Sequence, residues 1–102
     1  MKYKIEYIVE GNFFGPIKII NNSSDYKNLK TGDVLVIKTP DPDVVLGFNK
    51  IVGIISEVGG KLSHLAVISR ENSIPYIKLE NATEVLKENT IVEVVDGFIY
   101  VK

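Results

Sequence analysis

The sequence predicts a mixed α/β fold in which short strands outnumber two or three short helices. Three observations lead to this prediction. Residues 33–39 and 51–56 form β-branched apolar runs typical of buried strands, residues 63–72 have the spacing of a short helix, and residues 91–101 alternate around an Asp-Gly pair as a hairpin does. With 102 residues and 45% hydrophobic content, the chain is long enough for one domain with its own core.

The first third of the chain predicts two strands and a long connection. Residues 3–9 largely alternate apolar and polar side chains, as a strand with one buried face does. Gly15 and Pro16 interrupt the pattern, and residues 17–20 then predict a second short strand. The polar, turn-rich stretch 21–33 predicts a connection inside the domain, either a loop or a loop with one helical turn.

Two buried strands with a break between them are predicted next. The strand at residues 33–39 ends at the Pro and Asp residues of 40–43, since proline cannot continue a ladder of hydrogen bonds. The same aspartates can cap a short helix over residues 44–49. Residues 51–56 then predict the second buried strand.

The second half of the chain predicts helix, strand, helix and hairpin. Ser63 is a suitable N-cap for a helix that ends near Asn72, and Pro75 prevents its continuation. A strand follows at residues 76–79, and residues 81–86 predict a short helix capped by its asparagine.

Composition excludes several classes of function. Twelve basic and thirteen acidic residues give a net charge of -1, and the lysines are scattered, which argues against a nucleic-acid interface. The chain has no cysteine and one histidine, so we expect no disulfide, no thiolate chemistry and no metal site. No apolar stretch approaches the roughly 20 residues that span a bilayer. We therefore expect a cytoplasmic protein.

His64, the only histidine, follows a segment suited to binding an anion. Gly59 and Gly60 are expected to need positive φ angles and allow backbone N–H groups to approach an anion, and Ser63 caps the following helix. His64 should be about the first helical residue, where the partial positive charge of the helix favours a negative group. A neutral imidazole there can attack phosphorus, which permits a phosphohistidine. From spacing alone, however, a structural or merely surface role for His64 is favoured.

Three further polar residues are candidates for supporting roles. Arg70, the only arginine, lies six residues after His64, and an ion pair with Glu71, Asp41 or Asp43 is favoured over contact with a partner's phosphate. Asp41 and Asp43 are suited to acid–base or magnesium chemistry, but capping and turn roles are favoured.

The segment "GGKLSHLAVISRENSIP" resembles the phosphohistidine motif of phosphoenolpyruvate-utilising enzymes. The resemblance extends to "GDVLVIKTPDPD" before the motif, to "NATEVLKENTIVEVVDGFIYV" after it, and more weakly to "GNFFGPIKII". It covers nearly the whole chain and is strongest over residues 32–101. Members of this family include pyruvate phosphate dikinase, phosphoenolpyruvate synthase, the first enzyme of the bacterial sugar phosphotransferase system and rifampicin phosphotransferase.

The resemblance implies a swivelling β/β/α domain that carries phosphate on a histidine between an ATP-grasp site and a second active site. It reverses the preference for His64, which becomes the expected phosphorylated residue. Gly59, Gly60 and Ser63 would then shape the phosphate environment. The supporting residues would be Arg70, Asp41 and Thr39.

The sequence departs from the family pattern at a few positions. Leu62 stands where threonine is frequent, although leucine also occurs there in members similar to rifampicin phosphotransferase. Ser69 and Ser73 replace an alanine and a glycine, and Pro40 stands at the threonine of the Thr-Asp-Pro segment, with Thr39 one position away. These changes affect the expected loop geometry more than the histidine.

We expect residues 1–102 to be a single stand-alone swivelling phosphohistidine domain, because they cannot contain an ATP-grasp domain or a phosphoenolpyruvate-binding barrel. We expect such a phosphotransferase component to bind no cofactor itself and to be unable to complete the phosphotransfer cycle alone. Mg²⁺ and ATP or phosphoenolpyruvate would belong to an ATP-grasp or phosphoenolpyruvate-binding partner subunit. Two alternatives stay open, namely a non-catalytic binding or regulatory remnant of the fold and a fragment of a larger synthase.

Overall fold

The computed structural model describes all residues, Met1–Lys102. The strands are β1 (Lys2–Lys4), β2 (Glu6–Val9), β3 (Phe13–Ile19), β4 (Val34–Ile37), β5 (Gly53–Ser56), β6 (Tyr76–Lys78), β7 (Ile91–Val95) and β8 (Phe98–Val101). The α-helices are α1 (His64–Glu71) and α2 (Ala82–Val85), and two 3-10 helices span Ser23–Asn28 and Pro42–Gly47. The helices are too short and polar for any of them to cross a membrane.

The strands form one mixed sheet in the order β1-β8-β7-β3-β4-β5-β6-β2. Strands β3 to β6 run parallel to one another, and the outer strands pair antiparallel. β3 changes partner along its length, because Phe13–Pro16 pair with β7 and Ile17–Ile19 pair with β4. The predicted mixed sheet with short helices is confirmed.

The two ends of this strand order meet in space. β1 and β2 lie at opposite ends of the order, yet only Ile5 separates them in the chain. The Ile5 N–H donates to the carbonyl oxygen of Gly97 at 3.0 Å, and the Gly97 N–H donates to the Tyr7 hydroxyl at 3.1 Å. The sheet therefore curls until its two edges adjoin at Ile5.

The parallel strands are buried on both faces, which explains their continuous apolar runs. Leu35 and Ile37 pack on one face in a cluster of 14 buried residues that includes α1 and side chains of both 3-10 helices. Val34 and Val36 pack on the other face in a cluster of 13, together with α2 and the β7–β8 hairpin. The core strands thus fix α1 on one face and α2 on the other.

Most predicted elements are confirmed, with three corrections. The strand predicted at residues 3–9 is divided at Ile5, because its halves pair with different strands. Gly15 and Pro16 lie inside β3 and do not interrupt it: a Cβ on Gly15 would collide with the Gly32 carbonyl oxygen, and Pro16 is the last residue paired with β7. The helix predicted over residues 44–49 is the 3-10 helix Pro42–Gly47.

Candidate functional site

His64 is the first residue of α1, as predicted, and its side chain is exposed. Ser63 precedes it as N-cap, and the Ser63 Oγ accepts a hydrogen bond from the Ala66 N–H at 3.1 Å. The next two residues, Leu65 and Ala66, are buried in the core. The helix is therefore held by its buried face, while the imidazole projects from its N-terminus.

The imidazole of His64 is exposed and has no hydrogen-bond partner within the protein, so neither ring nitrogen is engaged by the fold. The backbone N–H groups of His64 and Leu65 are also unpaired, as expected for the first turn of a helix. The N–H groups of Gly59 and Gly60 are unpaired as well. Unpaired N–H donors of the loop and of the first helical turn are thus close to His64 in sequence. Such a combination of donors is suited to binding an anion.

The two glycines differ in their surroundings. Gly59 has φ +148°, and a Cβ placed on it would lie 2.6 Å from the Tyr76 Oη and 3.3 Å from the Ser56 Oγ. Gly60 has no positive φ, and a Cβ there would meet nothing within 4 Å. The expectation of positive φ is confirmed for Gly59 and wrong for Gly60. Of the two, only Gly59 lies against buried side chains.

Below the glycines lies a buried pair of hydroxyl groups that sequence reasoning missed. Ser56 and Tyr76 are both fully buried, and their oxygen atoms lie 2.8 Å apart. The Ser56 Oγ also donates to the carbonyl oxygen of Val58 at 2.7 Å. Burial raises the pKa of Tyr76. The only signals in the sequence were a serine at the end of an apolar run and a tyrosine directly after Pro75.

Glu57, the first residue of the glycine loop (residues 57–60), caps α2 although the two are distant in sequence. Its Oε2 accepts from the Thr83 N–H at 2.8 Å and from the Thr83 hydroxyl at 2.6 Å. These two hydrogen bonds lower the pKa of Glu57. The predicted capping by Asn81 is wrong, since Asn81 adopts a left-handed conformation with φ 62° and its side chain makes no capping bond.

A small cleft of about 180 Å³ separates α1 from the 3-10 helix Pro42–Gly47, and His64 stands at its edge. Asp41 is the only carboxylate in its lining. The residues that line the cleft are Pro40, Asp41, Pro42, Val45, His64, Leu65 and Ile68. The structure therefore brings the Pro-Asp-Pro segment and the histidine together, although they are far apart in sequence.

Asp41 and Asp43 have the capping and turn roles that the sequence favoured. The Asp41 Oδ1 accepts from the Asp43 N–H at 2.9 Å as N-cap of the 3-10 helix, and the Asp43 Oδ2 accepts from the Ser23 hydroxyl at 3.1 Å. The pKa of the buried Tyr26 is raised, first by burial and then by the charges of Asp41 and Asp43. Both carboxylates thus serve the loops that form one wall of the cleft.

Thr39 and Arg70 lie outside the His64 cleft. Thr39 lines a neighbouring cleft of about 420 Å³, which shares only the segment 40–42 with the first. Arg70 is exposed in the last turn of α1 and forms no ion pair. The predicted ion pair is wrong: the Asp41 carboxylate caps its own 3-10 helix, and the Asp43 carboxylate accepts from Ser23.

Comparison with known sequences identifies the family. Residues 29–98 match the family described as "PEP-utilising enzyme, mobile domain". A probable phosphoenolpyruvate synthase from Methanothermobacter thermautotrophicus is 42% identical over 84 residues, which are 81% of this chain and 12% of that protein. Rifampicin phosphotransferase from Bacillus cereus is 39% identical over 90 residues, which are 85% of this chain and 10% of that protein. The chain therefore spans only a small part of the length of these relatives.

Solved structures agree on the fold. A solution structure of Enzyme I superimposes with a TM-score of 0.63 and 25% identity over 81% of this chain and 34% of that one. The holo-form of aconitase X from Thermococcus kodakaraensis has a TM-score of 0.73 at 15% identity and matches 98% of its chain, a likeness of fold alone. The resemblance inferred from the motif is confirmed, and the chain belongs to the mobile-domain family of PEP-utilising enzymes, as found in phosphoenolpyruvate synthase-like phosphotransferases.

Proposed function

We propose that this domain accepts a phosphoryl group on His64 from one partner unit and passes it to an acceptor at another. The observation that carries this proposal is the position of His64: an exposed imidazole with no internal hydrogen bond, on the first residue of a capped helix. A structural histidine would be expected to use at least one ring nitrogen in a hydrogen bond within the fold.

The transfer is a displacement at phosphorus. The lone pair of one ring nitrogen attacks the phosphorus atom, a P–N bond forms, and the P–O bond to the leaving group breaks with its electron pair on that oxygen. The other ring nitrogen keeps its proton. Attack by an acceptor oxygen on the same phosphorus then breaks the P–N bond and restores the neutral imidazole.

Nearby donors can stabilise the phosphoryl group. The Ser63 Oγ accepts from the Ala66 N–H, so its own hydrogen is free to donate to a phosphoryl oxygen. The unpaired N–H groups of Gly59 and Gly60 add uncharged donors, and the positive end of α1 favours the negative charge. Thr39, Asp41 and Arg70 form no hydrogen bond or ion pair with His64, and we assign them to the surface that meets the partner.

The surface around His64 is suited to transient docking. Leu62 is 96% exposed two residues before the histidine, and Val45, Leu46 and Val67 are exposed on the elements that border the cleft. Apolar side chains exposed beside a reactive group indicate contact with another protein surface. We infer that an ATP-grasp or phosphoenolpyruvate-binding unit covers this surface during transfer, and that Mg²⁺ and ATP, or phosphoenolpyruvate, bind to that unit in the cytoplasm.

Partner-dependent labelling tests the proposal. The protein is incubated with a purified ATP-grasp or phosphoenolpyruvate-binding protein of its own organism and radiolabelled ATP or phosphoenolpyruvate. We expect acid-labile, alkali-stable label on the wild type and none on His64→Gln. Since His64 is exposed and unbonded, this variant should keep the thermal stability of the wild type. Label on both proteins, or on neither with every partner tried, would contradict the proposal.

The exposed apolar side chains also favour a second candidate, a binding or regulatory module without phosphoryl transfer. Such a module would form a stable complex with its partner, and the complex would not depend on His64. A pull-down that compares the wild type with His64→Gln in the presence of the phosphoryl donor separates the two functions. A carrier releases its partner after labelling, whereas a regulatory module retains it in both proteins.

A further inference from the structure

We propose that Tyr76 and Ser56 are positioning residues, which hold the glycine loop (residues 57–60) in the shape that presents its N–H groups to the phosphoryl group. This inference rests on the proposed function of His64. It concerns side chains that lie below the loop in the core and contact no substrate themselves.

The two hydroxyl groups form a chain of hydrogen bonds, and the donor and acceptor of each bond can be assigned. The Val58 carbonyl oxygen can only accept, so the single hydrogen of the Ser56 hydroxyl points to it at 2.7 Å. Ser56 then has no hydrogen left for Tyr76. The Tyr76 hydroxyl must therefore donate to the Ser56 Oγ at 2.8 Å, and the chain runs from Tyr76 through Ser56 to the loop backbone.

Gly59 lies directly against the Tyr76 Oη, the first oxygen of this chain of hydrogen bonds. A Cβ on Gly59 would lie 2.6 Å from the Tyr76 Oη and 3.5 Å from the Pro40 Cγ. Gly59 is thus enclosed between Tyr76 below and Pro40 beside it. Because Pro40 also lines the cleft of His64, Gly59 lies between the buried tyrosine and one wall of that cleft.

An apolar core alone does not account for this pair. Both residues are fully buried, and a buried hydroxyl is costly unless it is hydrogen-bonded. Phenylalanine at position 76 would fill nearly the same volume with no polar atom to satisfy. The tyrosine hydroxyl has one partner in the protein, Ser56, and through it fixes the Val58 carbonyl at the point where the chain leaves β5.

The test compares Tyr76→Phe with Tyr7→Phe. Tyr7 is the matched control, since its hydroxyl also makes one hydrogen bond, with the Gly97 N–H in the distant hairpin. Phosphoramidate is the phosphoryl donor, because it phosphorylates exposed imidazoles without a partner protein. For each protein we would measure the backbone amide NMR signals of Gly59 and Gly60, the rate of phosphorylation of His64, and the rate of hydrolysis of the phosphohistidine.

We expect Tyr76→Phe to move the Gly59 and Gly60 signals and to change the formation or hydrolysis rate by about tenfold, as displaced donors should. Tyr7→Phe should leave both unchanged. Ser56→Thr, which keeps a hydroxyl, should resemble the wild type more closely than Ser56→Ala. The thermal midpoint of each variant is measured as well. Since Tyr7→Phe also loses one hydrogen bond, a change of rate that occurs in Tyr76→Phe and not in Tyr7→Phe at a similar loss of thermal midpoint indicates positioning and not general loosening.

Two results would overturn the inference: unchanged glycine signals in Tyr76→Phe, or moved signals with unchanged rates. Failure of the proposed function looks different. In that case the wild type is labelled by phosphoramidate but by no partner, and the comparison of Tyr76→Phe with Tyr7→Phe still decides whether Tyr76 positions the loop.

Discussion

Glu57 accepts two hydrogen bonds from Thr83, one from its N–H at 2.8 Å and one from its hydroxyl at 2.6 Å. Glu57 directly follows β5 and begins the glycine loop, whereas Thr83 lies in the first turn of α2. One carboxylate thus joins the loop before His64 to a helix on the opposite face of the sheet. This bond predicts a pH dependence of stability.

The pKa of Glu57 lies below its ordinary value of 4.5 in the folded protein, because both Thr83 donors favour the carboxylate. The stabilisation is complete above the unfolded-state pKa and is lost as the pH falls through the lowered folded-state pKa. We expect Glu57→Gln to reduce the free energy of unfolding by about 1 kcal/mol near neutral pH and to reduce its dependence on acid pH. Urea denaturation at several pH values measures this. The exposed Glu80, which makes no hydrogen bond, provides the control Glu80→Gln, and equal behaviour of both variants would contradict the prediction.

Alanine substitutions should separate the two adjacent glycines. Gly59→Ala combines a strained φ with a contact on the Tyr76 Oη, so we expect a loss of about 1–3 kcal/mol in the free energy of unfolding. Gly60→Ala meets open space and should change stability by less than about 0.5 kcal/mol. Chemical denaturation of the two single variants tests this, and similar losses would show that the contact below Gly59 is unimportant.

A double-mutant cycle tests the same contact directly. Tyr76→Phe removes the oxygen that a Cβ on Gly59 would approach at 2.6 Å. The combination of Gly59→Ala with Tyr76→Phe should therefore be more stable than the sum of the single losses implies, by at least about 0.5 kcal/mol. The backbone strain stays in both Gly59 variants and cancels in the cycle. Strict additivity would be the contrary result.

Arg70 is predicted to matter for transfer and not for folding. Because Arg70 is exposed and forms no ion pair, Arg70→Gln should change the free energy of unfolding by less than about 0.5 kcal/mol. If Arg70 faces the partner, labelling by the partner should slow in this variant, while labelling by phosphoramidate stays the same. Loss of stability in this variant would show that Arg70 contributes to folding. Labelling by both donors at the wild-type rate would show that Arg70 takes no part in transfer.

Leu62 is predicted to contribute to docking. At 96% exposure it adds nothing to the core, so Leu62→Ser should retain the thermal midpoint of the wild type. We expect slower labelling by the partner protein and unchanged labelling by phosphoramidate. Phe14→Ser is the matched control, since Phe14 is an apolar side chain 69% exposed on β3 and lines no cleft with His64. Equal effects of the two variants on partner labelling would contradict a specific role.

Local signals in the sequence predicted most of the elements. Ser63 as a cap, the Asp-Gly hairpin and the apolar runs of β4 and β5 each act within a few residues, and the structure confirms them. The same holds for His64, whose helical position depends on the residues beside it in the chain.

The contacts that shape the site were not predictable in this way, because they join residues distant in sequence. Glu57 meets Thr83 and Ser56 meets Tyr76 only after β5, β6 and α2 have packed. The two partners of the segment 3–9 likewise depend on the curl of the whole sheet and not on its alternating pattern. Arg70 shows the reverse error: the ion pair inferred from acidic residues near it is absent, and of those residues Asp41 caps a 3-10 helix and Asp43 accepts from Ser23.

The seam at Ile5 has a consequence for the order of folding. β1 pairs with β8, so residues at the start of the chain need the last strand before they can bond, and residues 6–9 wait for β6. During synthesis on the ribosome, β1 therefore remains without its partner until β8 has emerged. Closure of this seam should be a late event, and its opening an early one, so that β1 and Ile5 become early sites of hydrogen exchange and proteolysis.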